Sequence, residues 1–536
     1  MTRSDVMSRD LFAQEALAQI PKILTLGDRN PHSPTYGCFD RNFWHYKIID
    51  FPSGMAQEFV FPLTLAHTTS LPENPYYQQP ALRDWVSAGI HYAAKSAHKD
   101  GSCDDYFPFE RAGGAAAFSL LACLESYRRL GLNDQRLLDF FVLRADWLVH
   151  HQESGQLTNH QALIVLCLDI LSRLLNESRW EGAKAQRIEK VLSWQNPEGW
   201  FQEYEGCDPG YHTLTVSCLA WIYDLTPDPR IQEALSSAVQ LATEFVHPDG
   251  SFGGEYTSRN TYNFFPDGFE RVGRWLPDAL SINDRFLQGL AKGKAPCYAD
   301  DHIVGHHTWN YLLAWENFVP QRPALPPRQQ GQIWFKNAQI LIDRRHNTEL
   351  YLALNKGGVF KLFRDGALVA SDTQFSLQVQ QGGKSKNAVG HLVGAYSVAV
   401  EVDRIQIQGN LGWAKQKQMT PLNLMILRVV MLTAGRFFPN LIRSLLQKML
   451  IVGKTAAPFR FTRELRWADG QWHLTDTLKA EDWGIIQAAG IGAAQTSIYV
   501  VMSRTYQSGQ LQPWLDLSDR LQSLSPGQVL EVERQL

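Results

Sequence analysis

Cysteine is scarce in this 536-residue chain: seven residues, an odd number, at positions 38, 103, 123, 167, 207, 218 and 297, with no CxxC pair. That excludes a disulfide scaffold and points to reduced thiols in a reducing compartment. No run of 18 uncharged apolar residues occurs, which removes a clear transmembrane helix. The opening Met1-Thr-Arg-Ser-Asp leads into no apolar run of signal-peptide length, so a cytoplasmic location is expected. Neither sign of charge dominates. Lys+Arg is 51 against Asp+Glu 54, a net −3, which argues against a wholly basic nucleic-acid binder. With 44% hydrophobic and 20% charged residues the chain is neither disordered nor collagen-like, and its length asks for more than one compact domain.

A local absence is sharper. From Arg404 to Arg463 there is no Asp or Glu, but there are ten Lys or Arg. Within this stretch Leu422 to Ile451 is apolar and helix-like. Phe438, Leu441, Ile442, Leu445 and Met449 share one helical face, Arg443, Ser444, Gln447 and Lys448 the other, and Pro439 suits a helix start. The pattern predicts a cationic amphipathic insert over about 421–451. It suits an anionic membrane interface, with the protein peripheral at the inner membrane; the competing expectation is a helical hairpin packed on the rest of the protein. Arg428 and Arg436 interrupt the run, so no spanning helix is expected.

What is present divides in two. Residues 319–331, Val-Pro-Gln-Arg-Pro-Ala-Leu-Pro-Pro-Arg-Gln-Gln-Gly, hold four prolines and cannot continue a helix. Before them apolar residues recur at helical spacing, as in Leu120, Leu121, Leu124 and Tyr127. After them come alternating strings such as Glu349-Leu-Tyr-Leu-Ala-Leu and Ser397-Val-Ala-Val-Glu-Val, with Arg364-Asp-Gly and Ala468-Asp-Gly turns. The helical half repeats, with glycine turns near Gly37, Gly101, Gly155, Gly199, Gly250 and Gly305. Three of these turns look alike: Lys99-Asp-Gly-Ser, Asn196-Pro-Glu-Gly-Trp-Phe and His247-Pro-Asp-Gly-Ser-Phe. A repeat of this length fits a helical hairpin, and six hairpins closing on themselves make a toroid; the alternative is an irregular helical domain with ordinary turns. The expected fold class is α+β multidomain: an N-terminal (α/α) toroid over 1–320, a Pro-rich linker over 321–331, and an antiparallel β-sandwich-like domain over 332–536 carrying the helical insert.

In such a toroid, polar groups near the starts of inner helices meet although they are distant in sequence. Three segments qualify: Leu157-Thr-Asn-His-Gln, Glu203-Tyr-Glu-Gly-Cys-Asp-Pro-Gly-Tyr-His, and Ser258-Arg-Asn-Thr-Tyr-Asn. Asn159 and Tyr211 are 52 residues apart, Tyr211 and Tyr262 51, one repeat in each case. Asn159 also suits a helix cap, His160 a hydrogen-bonded packing role, Tyr211 a buried tyrosine, and Arg259 a structural partner of Asp267 or Glu270.

The order of domains, the repeats, Asn159-His160 and Gly210-Tyr211-His212 together resemble the heparinase II/III and alginate lyase group of polysaccharide lyases. That resemblance implies an incomplete toroid followed by an antiparallel β-sandwich. It implies β-elimination on a uronic acid-containing glycan, with Asn159, His160 and Tyr211 as catalytic residues. His212, Arg259, Asn260, Tyr262 and Glu205 are expected to bind substrate. It also implies a His from the β domain, for which His391 in Asn387-Ala-Val-Gly-His is nearest in context, ahead of His346 and His473. The expected partner is an acidic polysaccharide or oligosaccharide; no nucleic acid, metal or cofactor is expected. C5 epimerisation, a non-catalytic glycan-binding or assembly protein of polysaccharide biosynthesis, and a toroid glycoside hydrolase drawing carboxylates from Asp208, Glu205, Asp267 or Glu270 are the alternatives. A zinc site from Cys297, Asp300, Asp301, His302, His306 or His307 is conceivable, with a helix-capping or cleft-edge role the blander reading.

Overall fold

The computed structural model describes residues 8–153, 155–204, 206–294, 301–414, 420–438, 441–442, 455–495 and 508–536. The chain forms two compact units. One comprises Met1–Val246, Asn263–Leu325 and Met419–Leu445; the other comprises His247–Tyr262, Pro326–Gln418 and Leu446–Leu536.

The first unit is built on helices α1 (Asp10–Leu17), α2 (Val60–Thr68), α3 (Pro80–Ser96), α4 (Gly113–Arg129), α5 (Gln135–His150), α6 (Thr158–Leu175), α7 (Glu181–Ser193), α8 (Pro209–Leu225), α9 (Pro229–Phe245), α10 (Asp267–Val272), α11 (Asp278–Ala291) and α12 (Asp301–Glu316). The even-numbered helices form an inner ring in which each packs on the next and α12 returns to α2. Helices α3, α5, α7, α9 and α11 back onto the ring from outside, and α1 fills the outer place beside α12. The N-terminal helix is fixed there by Trp315 Nε1 donating to Asp10 Oδ1 at 2.9 Å and by Phe12 packing on Tyr311. The expected (α/α) toroid is therefore present and closed, where the resemblance implied an incomplete one.

Sequence explains the two classes of helix. In α8 nearly every residue from Pro209 to Ile222 is buried, as an inner helix covered on both sides requires, whereas α9 buries one stripe, Ile231, Ala234, Leu235, Ala238, Val239 and Ala242. Asp134, Asp208 and Asp228 accept backbone N–H groups at the starts of α5, α8 and α9, and proline opens the latter two. The repeated turns need glycine. Gly101 and Gly199 have φ of +84° and +98°, and a Cβ would lie 2.6 Å from Arg144 N on α5 or 2.5 Å from Ser237 O on α9. Gly305 is not a turn glycine, contrary to expectation; it lies inside α12, where the helix passes close to Glu58.

The second unit is an antiparallel β-sandwich. Strands β1 (Gly331–Phe335), β2 (Ile340–Arg345), β3 (Thr348–Ala353), β4 (Val359–Arg364) and β5 (Ala367–Asp372) form a five-stranded meander. Strands β6 (Phe375–Gln381), β7 (Lys384–Val389), β8 (Ser397–Val400), β9 (Arg404–Trp413), β10 (Ala456–Ala468), β11 (Gln471–Ala480), β12 (Ile486–Ile491), β13 (Leu515–Asp516) and β14 (Val529–Gln535) form a second sheet, ordered β13-β12-β6-β7-β9-β10-β11-β14 with β8 on β9. Leu352, Phe360, Leu377, Ile407, Phe461 and Trp472 from both sheets share one core. Strand β10 alternates buried and open positions, and one inward position is Arg463, paired with Asp476 at 2.6 Å and Asp372 at 2.7 Å.

The expected insert begins with helix α13 (Pro421–Val430), capped by Thr420, followed by a π-turn over Met431–Gly435. It belongs to the helical unit. Pro439 and residues 443–451, which include Leu445 and Met449, lie outside the described residues.

Candidate active site

The first turn of α6 is tied to the chain leading into α8. Tyr204 N donates to Gln156 O at 2.8 Å, Leu157 bridges Glu203, and Thr158 Oγ1 donates to Gln202 O at 2.6 Å. This clip brings the Glu203 carboxylate to Asn159, whose Nδ2 donates to Oε1 at 2.8 Å and whose backbone N–H reaches the same oxygen at 3.1 Å. Asn159 is fully buried, and its Oδ1 has no hydrogen-bond partner among the described residues. Asn159 is thus not the cap of α6; that place belongs to Leu157. Tyr211 sits in the first turn of α8, half-buried, with its N–H on the capping Asp208 carboxylate at 3.0 Å.

Beside Asn159, His160 places Nδ1 2.9 and 3.0 Å from the two carboxylate oxygens of Glu153, in the loop before α6. The carboxylate fixes the tautomer in which Nδ1 carries the proton and Nε2 is an open acceptor. The ring meets Phe118 of α4 edge-on, at 6.1 Å, and a Cβ on Gly114 would come within 2.6 Å of His160 Cε1. The other side of this cluster is its counterpart. Phe118 stacks on His306 of α12 at 3.9 Å and 13°, and His306 Nδ1 lies 2.6 Å from Glu58 Oε2. Glu58, in the turn before α2, also accepts from Trp309 Nε1 at 2.5 Å. Neither His160 nor His306 uses Nε2 in a hydrogen bond among the described residues. Two carboxylate-held imidazoles therefore share one phenyl ring in the inner ring of the toroid. Near the start of α10, both amide atoms of Asn263 are buried without a partner among the described residues, and Phe265 N donates to Thr213 Oγ1 of α8 at 3.0 Å. Buried polar atoms left unpaired are uncommon and mark places a ligand can satisfy.

His212 faces the packed interior between α8 and α9. Its Nε2 lies 3.0 Å from Ala238 O, its Nδ1 accepts from Phe201 N at 3.4 Å, and burial pushes its pKa down to about 4. With both nitrogens committed to backbone it has no donor for a substrate, a correction to its expected role. Glu205 lies outside the described residues. Arg259, Asn260, Tyr262 and His391 belong to the β unit. There the His247–Tyr262 loop is anchored on the five-stranded sheet: Asn260 Oδ1 accepts from Lys356, and Tyr262 OH donates to Glu255 at 2.5 Å under the Lys361 ammonium. Arg259 is half-buried. His391 Nδ1 meets Thr373 O at 2.9 Å, and burial together with Lys356 lowers its pKa to about 3.

The other readings are also placed. Asp267 pairs with Arg271 at 2.7 Å and Glu270 with Arg322 at 2.6 Å, both carboxylates buried, which leaves neither open for hydrolase chemistry. Of the metal candidates, His307 Nδ1 takes Ile303 O at 3.0 Å while His306 takes Glu58; Cys297 and Asp300 lie outside the described residues. Glu153, Glu58, Glu203 and Phe118 were not expected at the site. A carboxylate seven residues before His160 was visible, but nothing local marked it.

No family model matches the sequence, and no curated protein does. Solved structures with a similar fold include xanthan lyase of Paenibacillus (10% identity, 91% of this chain and 47% of that one, TM-score 0.49). Heparinase III (10%, 90% and 71%, 0.45) and chondroitin AC lyase of Streptomyces coelicolor A3 (9%, 91% and 68%, 0.49) are others. The chain spans about half the length of the xanthan lyase. At these identities the likeness is one of fold.

Proposed function

We propose that the toroid acts on an acidic, uronic acid-containing glycan by removing the proton α to the sugar carboxylate. The observation that carries this reading is the pair of carboxylate-held histidines, His160–Glu153 and His306–Glu58, on either side of Phe118. The proton is weakly acidic, so the reaction needs a positioned base and donors that stabilise the enolate. His160 Nε2 is the base, with Glu153 holding the tautomer and stabilising the imidazolium that forms. The second amide hydrogen of Asn159 is a donor to the substrate carboxylate, the first being spent on Glu203. In β-elimination the C5–H electrons form the C4=C5 bond, the C4–O bond breaks, and Tyr211 protonates the departing oxygen. In C5 epimerisation no bond to oxygen breaks, and a proton returns from the opposite face. Two histidines around one phenyl ring support this second outcome as well. The cytoplasm, at the inner face of a membrane, is part of the proposal; free thiols at six buried cysteines support a reducing compartment.

The test is incubation with a panel of acidic polysaccharides and oligosaccharides in heavy water. A rise in ultraviolet absorbance reports the unsaturated uronate of elimination, and deuterium at C5 without cleavage reports epimerisation. Binding with neither signal on any uronate would overturn the catalytic reading in favour of a glycan-binding protein.

A further inference from the structure

Asn263 is a buried polar group of the toroid that the reaction described above does not use. It is fully buried, and neither its Nδ2 nor its Oδ1 has a hydrogen-bond partner among the described residues. Its neighbours fix its place in the ring. Phe265, two residues on, donates its N–H to Thr213 Oγ1 at 3.0 Å, and Thr213 lies two residues beyond Tyr211 on α8. The Phe265 ring stacks on His307 of α12 at 4.8 Å and 18°, and His307 adjoins His306. Asn283 Nδ2 donates to Pro266 O at 3.0 Å, and Asp267 N donates to Asn310 Oδ1 at 3.0 Å, so the segment is held from α11 and α12. The repeat agrees with this placement: Asn263 follows Tyr211 by 52 residues, as Tyr211 follows Asn159. Asn159, Tyr211 and Asn263 therefore stand at matching places near the starts of α6, α8 and α10.

A fully buried amide with neither atom paired destabilises the free protein and is uncommon for that reason; contact with a substrate offsets the loss. Which atoms are open determines the chemistry of the partner. An amide presents an acceptor oxygen beside a donor nitrogen. A carboxylate or a sulfate only accepts, and would leave Oδ1 unpaired. Two adjacent hydroxyls satisfy both atoms, one donating to Oδ1 and the other accepting from Nδ2. A uronate that undergoes β-elimination within a chain is linked through C1 and C4 and carries its carboxylate on C5, so its free hydroxyls are the adjacent pair at C2 and C3. We infer that Asn263 binds this pair, as a specificity-determining residue of the proposed reaction, on which the assignment rests. The contact narrows the substrate class to a 4-linked uronate with O2 and O3 unsubstituted. Sulfate or acetyl at either oxygen removes a hydroxyl proton that Oδ1 would accept, and a site built to pair with a hydroxyl rejects the analogue that lacks it.

The experiment titrates the full chain with heparosan, chondroitin and mannuronate tetrasaccharides, each beside a counterpart blocked by sulfate or acetyl at the uronate O2. The parent is compared with Asn263→Ala and Asn263→Ser. Calorimetry should show the parent binding at least one open tetrasaccharide about tenfold more tightly than its blocked counterpart, or better. In Asn263→Ala that preference should vanish and affinity for the open sugar should fall about tenfold, with Asn263→Ser, which keeps a hydroxyl, in between. Thermal midpoints of the sugar-free variants should not fall below the parent's, since the amide pairs with nothing among the described residues. A parent indifferent to blocking, a preference that persists in the variants, or no binding of any tetrasaccharide would overturn the proposal. So would a lower sugar-free midpoint in both variants, because the fold itself would then be using the amide. Turnover is read on the same proteins from ultraviolet absorbance and deuterium at C5. The expected binding pattern without turnover leaves the hydroxyl contact standing and sinks the reaction; turnover indifferent to O2 and to Asn263 does the reverse.

Discussion

His160 and His306 are histidines whose carboxylate partners matter as much as the rings. Replacing His160 by Gln removes the base and should lower turnover of a uronate substrate by about 100-fold or more, whereas Glu153→Gln keeps a hydrogen-bond partner but not its charge and should cost less. Initial rates read from the ultraviolet product, or from deuterium uptake, check the order; a Glu153→Gln loss equal to that of His160→Gln would contradict the positioning role. His212 makes a different prediction. Burial lowers its pKa from 6.5 to about 4, and burial likewise lowers His307 and His391 to about 3. The unfolded chain takes up these protons near pH 6.5 and the folded chain does not. Stability is therefore complete above pH 6.5 and is lost as pH falls towards 4, by about 3 kcal/mol for His212 alone. Urea midpoints between pH 7 and 5 should fall, with a shallower slope in His212→Gln; parallel slopes would refute the assignment. At this scale the sequence marked Asn159, His160 and Tyr211 as polar groups near helix starts, but a hydrogen bond between Glu58 and His306, 248 residues apart, leaves no local trace.

The elements obey local rules more openly. Repeated glycine turns were legible because a positive φ excludes most side chains. Gly101→Ala should therefore destabilise by about 1–3 kcal/mol, through backbone strain and a clash with Arg144, and lower the thermal midpoint accordingly. The same change at Gly131, where a Cβ would meet nothing within 4 Å, isolates the strain from the clash. In the β unit, strand alternation was legible but the inward Arg463 was not. Its guanidinium lies between Asp476 and Asp372, with Arg534 closing the group at 2.7 Å from Asp372. Arg463→Met leaves two buried carboxylates sharing Arg534 alone and should cost about 3–5 kcal/mol in chemical denaturation, with a loss under 1 kcal/mol refuting that account.

For the whole molecule, the scarcity of cysteine has a measurable counterpart. The six cysteines among the described residues are free and buried, and burial raises the Cys38, Cys103 and Cys123 thiols to about 12. Such thiols are inert. In the native protein at most one of the seven cysteines, Cys297, should react promptly with a thiol reagent, and all seven after denaturation; two or more prompt equivalents would show that the interior opens readily.

The sequence by itself determined the order of helical hairpins before antiparallel strands, and a cationic, acid-free segment within the latter. Those features follow from periodicity, turn chemistry and composition, each readable within a few residues. The tertiary structure decided the rest. It closed the ring by setting α1 beside α12, and it gave His247–Tyr262 to the β unit and Met419–Leu445 to the helical one. It turned Arg428 of α13 towards Asp50 and set two glutamates on two histidines across one phenyl ring. Each of these depends on which distant surfaces bury one another, and burial between segments remote in the chain is a property of the packed fold that no local pattern encodes.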